Sequence, residues 1–132
     1  MRSGSGIADP PSSVLSIEKK EPLIQKFRDL PITLDVTKLA TCNKVLCTST
    51  TVLNNSLDEI LTHCSPDAFI SVVGPTAGFF PDPLFARGVD VVGGRVLENS
   101  KEFLQRLTQR KRWGDTTLRT CFQKKSYKSI IN

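Results

Sequence analysis

The residues best suited to chemistry lie in three short stretches, each beside an apolar run. The first is "TSTTVLNNS", Thr48 to Ser56, rich in hydroxyls and amides. Thr48, Ser49 and Thr50 supply hydroxyl groups, and Asn54, Asn55 and Ser56 stand where a helix begins. Free N–H groups and the helix dipole at such a start favour an anion, such as a phosphate or carboxylate. The same amides and hydroxyl can also serve only as caps. The second stretch opens with Gly74, Pro75 and Thr76. Glycine permits close backbone approach, proline stiffens a turn, and threonine adds a hydroxyl. Phe79 and Phe80, which follow, either wall a site or fill the core, where large apolar side chains usually go. The third is the Gly93-Gly94 pair, read as a turn after a buried strand.

Other chemistries find less support. Cys42, Cys47, Cys64 and Cys121 contain no C-x-x-C pair, and the adjacent His63 and Cys64 do not match zinc-site spacing. Cys47 sits in an apolar run and reads as a small buried hydrophobe. His63, the single histidine, falls near a helix end, away from the three stretches. There is no G-x-S-x-G, Walker A or G-x-G-x-x-G sequence, so no reaction follows from the residues.

The elements around these stretches alternate. A short strand is expected over 14–18. A helix follows, with Leu23, Ile24, Phe27 and Leu30 on one face, Pro22 in its first turn and Pro31 stopping it. Asp35 can cap a second short helix. Strands are expected over 44–48, 68–73 and 89–92. Between the first two, Leu57, Ile60, Leu61 and Cys64 share a helical face, and Ser56 with Glu59 has the spacing of a capping box. "DPLFARG" reads as one or two helical turns ended by Gly88. A last helix has Asn99 as cap and Phe103, Leu104 and Leu107 as core face. This alternation predicts an α/β fold, a Rossmann-like three-layer sandwich of four to five mostly parallel strands with helices on both faces. The strand C-termini then share one edge, where ligands of such sheets bind.

With 132 residues, the expected organisation is a flexible leader over 1–12 and a single domain over 13–132. No apolar run approaches the roughly 20 residues of a membrane-crossing helix, and the polar start lacks a signal-peptide core. A cytoplasmic protein is the default. The net charge of +5 is uneven. Residues 1–100 carry nine basic and eleven acidic groups; residues 101–132 carry nine and two. The basic segment 101–132 can meet an acidic surface or polyanion, or be a solvated helix end followed by a lysine-guarded strand edge. It holds no nucleic-acid motif of known spacing, so nucleic acid is not the expected partner.

Taken together, "VLCTSTTVLNNSLDEIL" and "VVGPTAGFFPDPLFARGVDVVGGRVLEN" resemble the putative heavy-metal chelation domain family, a domain of unknown function with a Rossmann-like sheet. Asn54 to Leu57, Gly74 to Thr76, Pro83, Phe85, Gly88 to Asp90 and Gly94 fall into its pattern. The resemblance is carried from about Cys42 to Leu107 and extends toward Val14. "CTST" stands where the family usually has T-G-S/T-T, and Asn54-Asn55 where it often has Asn-Gly. The resemblance implies a site at the interface with an enolase-N-terminal-like domain, for which this chain has no room. Either a truncated relative or a fragment is then expected, with a partner or homo-oligomer covering the exposed edge. It also implies a metal ion or metal chelate. The loops supply hydroxyl and amide oxygens, with Asp82 and Asp90 nearby in sequence, a set poorly suited to soft metals. The expected function is a small-ligand or metal-chelate binding domain, its ligand a small anion or anionic chelate. The alternative is a catalytically inert remnant acting as an interaction module.

Overall fold

The computed structural model describes residues 16–17 and 32–129, which fall into two units divided between Lys38 and Leu39. In the first, β1 (Ser16–Ile17) and β2 (Ile32–Thr33) pair in parallel, within and beyond the strand expected over 14–18. The leader over 1–12 and the helix expected from Pro22 to Leu30 lie outside the described residues. The short helix read after Asp35 is a 3₁₀ turn, Val36–Thr41. Asp35 still caps it, accepting the Thr37 backbone N–H at 3.0 Å.

In the second unit, β3 (Lys44–Thr48), β4 (Phe69–Val73), β5 (Val91–Leu97) and β6 (Thr117–Gln123) form one sheet in that order. The first three run parallel and β6 runs antiparallel to β5, so the chain is α/β with a mostly parallel four-stranded sheet. Four helices accompany it: α1 (Thr50–Leu53), α2 (Leu57–His63), α3 (Asp82–Ala86) and α4 (Ser100–Thr108). None among the described residues is long and apolar enough to cross a membrane.

Strand alternation sorts side chains to two faces. Val45, Cys47, Ile70, Val72 and Val92 point to the buried one, where Leu57, Leu84, Phe85 and Val89 complete the core. The alternate positions are more open; Leu46 is 73% exposed. The last parallel strand starts later than expected because Asp90 is a tether. Its carboxylate accepts the Ile70 N–H, and its own N–H donates to Ile70 O. Gly93 and Gly94 are not a turn. They run through the middle of β5, because β6 supplies ladder partners at Cys121 and Thr120.

The capping box also gives way. Ser56 precedes α2, but its hydroxyl donates to Asn54 Oδ1 at 2.6 Å instead of capping the helix. The tight α1–α2 turn, with Asn55 at φ 60°, brings that amide within reach first. Leu57 is the deepest residue of the α2 face, whereas Ile60, Leu61 and Cys64 are half-buried. The α3 helix ends at Gly88 as expected. Its φ of 96° is open to glycine at little cost, and Val89 N–H turns back to Leu84 O. Tyr127 straps the C-terminal segment to α3, donating to Asp82 Oδ2 at 2.9 Å with its ring edge-on to Phe85 and Phe122.

Asn99 caps α4, accepting the Glu102 N–H at 3.0 Å. The expected core face of α4 is a correction: Leu104 and Leu107 are exposed, and Phe103 packs edge-on against Trp113. The helix belongs to the excursion joining two antiparallel neighbours. It packs on the 3₁₀ turn Gly114–Thr116.

Candidate functional site

The parallel strands end level with one another. Thr48 pairs with Val73, and Val73 with Gly93. The ladder continues one step into the loops, through Ser49 N–H to Val73 O and Gly74 N–H to Gly93 O. Ser49 is 1% exposed, and its hydroxyl shares a hydrogen bond with that of Thr76. A Cβ on Gly74 would lie 2.1 Å from Ser49 Oγ. Ser49, Gly74 and Thr76 therefore lock the first two loops together.

Beside this lock lies a groove of about 360 Å³. The Gly74-Pro75 turn forms one side, and Gly93 and Gly94 of β5 also line it. Arg95 and Arg119 line it from β5 and β6, with Thr120 and Cys121 beyond. The two arginines stand directly opposite each other in the antiparallel register. Like charges so placed cost up to about 1 kcal/mol. Arg95 is held by Gly114 O at 3.1 Å and Thr117 Oγ1 at 2.7 Å, with its guanidinium 5.8 Å from the Trp113 ring centre. Arg119 is exposed and makes no ion pair among the described residues.

Of the residues singled out in the sequence, Gly74, Pro75, Gly93 and Gly94 come together here. Ser49 and Thr76 bond to each other next to it. Thr48 and Thr50 pair their own hydroxyls at 3.0 Å, and Asn54, Asn55 and Ser56 make the α1–α2 turn. None of these seven lines the groove. Sequence reading missed Arg95, Arg119, Thr120 and Cys121. The available signal was "TLRTCFQ", whose threonines and phenylalanine favour a strand.

The sequence pattern of DUF364, described as putative heavy-metal chelation, matches residues 9–120. The chain belongs to the DUF364 family. Two solved DUF364 proteins of unknown function share its fold. One, from Pyrococcus horikoshii, superposes with a TM-score of 0.65 at 16% identity, over 83% of this chain and 54% of its own. The other, from Desulfitobacterium hafniense DCB-2, gives 0.62 at 18% identity, over 83% and 51%. This DUF364 chain thus spans about half the length of either. No curated protein matches it.

The family description invites a test of the donor set against a heavy metal, and the described residues do not fit one. They contain no group of three or more His, Cys, Asp or Glu side chains placed to hold an ion. Asp82 and Asp90 are engaged by Tyr127 and the Ile70 N–H. Burial, and secondarily the Cys64 thiol, pushes Cys47 from 9.0 up to about 11. Burial, then Cys42, also raises Cys64. Soft metals bind thiolates, and these thiols resist ionisation.

The raised Cys47 thiol makes stability depend on pH. Folding favours its protonated form, so the contribution is complete below pH 9 and is lost as pH rises through about 11. Allowing for partial screening, roughly 2 kcal/mol is expected to disappear across that window. Urea denaturation of the DUF364 chain and its Cys47→Val variant at several pH values measures the difference. Parallel curves would contradict it.

Proposed function

We propose that this DUF364 chain binds a small anionic ligand, or a metal carried as an anionic chelate, in the groove at the C-terminal edge of its sheet. The observation that carries the reading is the pair of opposed arginines, Arg95 and Arg119, lining one groove with the Gly74-Pro75 turn. Guanidinium forks grip carboxylate or phosphate oxygens in pairs. An anion between two like charges also relieves their repulsion. The family description supports a metal as part of the cargo, and the protein's donor set favours one already wrapped in an anionic ligand.

The test uses two probes in titration calorimetry, nickel(II) alone and its dianionic EDTA chelate. The chelate is expected to bind once per chain, and Arg119→Ala to weaken it 10- to 100-fold, the usual scale for a lost charged hydrogen bond. Stoichiometric uptake of bare nickel with no binding of the chelate would overturn the proposal.

A further inference from the structure

A second cleft, of about 600 Å³, adjoins the groove and shares Arg95 and Arg119 with it. Arg106 and Arg112 join them from α4 and the segment that follows. Four guanidinium groups thus line one cleft against a single carboxylate, Asp115. Arg106 is already neutralised, bonding both Asp115 and Glu102. Arg95, Arg112 and Arg119 make no ion pair among the described residues. The chain reversal between β5 and β6 is what assembles the group. It carries residues 98–116 out over the end of β5 and returns them with Thr117 opposite Leu97.

Not all of this arrangement stabilises the fold. Arg95 and Arg119 face each other across the strands, where like charges repel. Arg112 adds a third charge, close enough to Asp115 to help hold its carboxyl below the usual range, after the larger effect of Arg106. Concentrated like charge of this kind is relieved by a multiply charged anion. A carboxylate supplies one charge and two oxygens. A phosphoryl group supplies two charges and oxygens directed to several sides, matching forks that approach from two strands and a loop. The Thr117 hydroxyl adds a polar group to the same lining.

We infer that this arginine cleft is a binding site for the phosphoryl group of a small phosphate ester. It stands apart from the chelate reading, because Arg112 lines the cleft and not the groove. The cleft's size suits a compact ester. An extended nucleic acid strand would follow a track of positive charge along the surface.

Trp113, the protein's single tryptophan, lies under Arg95 and reports on the site. Its fluorescence is followed while inorganic phosphate, glycerol phosphate and duplex DNA are titrated separately at low salt. Phosphate and its ester are expected to saturate at one per chain. Arg112→Ala should weaken both at least 10-fold, and Arg112→Lys, which keeps charge but loses the fork, by less. Arg112 is an exposed side chain, so circular dichroism and melting of Arg112→Ala should match the parent. Asp115→Asn, which removes the competing carboxylate, should tighten phosphate several-fold. Absence of saturable phosphate binding in the folded protein would overturn the inference. So would equal affinity in Arg112→Ala, or DNA binding that grows with duplex length while phosphate fails to compete. Loss of phosphate binding in Arg112→Ala with nickel–EDTA binding intact would separate the cleft from the groove.

Discussion

Gly94→Ala is expected to destabilise the protein by about 3 kcal/mol, at the upper end for forcing atoms into a packed site. A Cβ at this position would lie 2.3 Å from Ala77 O and 2.5 Å from Ala77 C. Those are backbone atoms, and Ala77 is 1% exposed, so no flexible side-chain end can swing aside. The loop after β4 would have to lift from β5. Gly78 adds to the constraint from the loop side of the contact, since its own missing Cβ faces Arg95 O at 2.1 Å. The lifted loop carries the Gly74-Pro75 side of the groove with it, so ligand binding should fall together with stability. Urea denaturation and chelate titration of the same variant check both. A loss under about 0.5 kcal/mol, the range of harmless surface changes, would show that the loop does not rest on β5 this closely.

Leu57→Ala should cost about 3 kcal/mol, within the usual range for a buried leucine. Leu57 is 5% exposed at the first position of α2, beneath the turn made by Asn54, Asn55 and Ser56. Its truncation leaves a cavity at the point where the loop after β3 meets the core. Leu61→Ala, on the same helix face but half-buried, should cost distinctly less. Thermal melts of the two variants compare them directly. Equal losses would mean that α2 faces the core differently.

The alternation of short apolar runs with helical periodicity was enough to foresee an α/β chain with parallel strands over 44–48 and 68–73, the second of which begins one residue later, at Phe69. Each such run must hide from water whatever its neighbours do. Gly88, Asp35 and Asn99 were equally legible, because a helix end is satisfied by residues beside it in the chain. The Ser56–Glu59 pair has the right spacing and still fails, since Asn54 competes at shorter range for the same hydroxyl. Leu104 and Leu107 have the right period and stay exposed all the same.

The site divides along the same line. The Gly74-Pro75 turn at the C-terminal end of β4 was legible in the sequence by itself, because glycine's missing side chain and proline's ring act locally. Only the tertiary structure decided that the later strand Thr117–Gln123 returns antiparallel beside β5. That pairing drew Gly93 and Gly94 into the middle of a strand and set Arg119 against Arg95. The basic charge of the last 32 residues was countable from composition. Its convergence on one edge was not, because cross-strand register is fixed by hydrogen bonds between residues distant in sequence, which leave no mark on either segment alone.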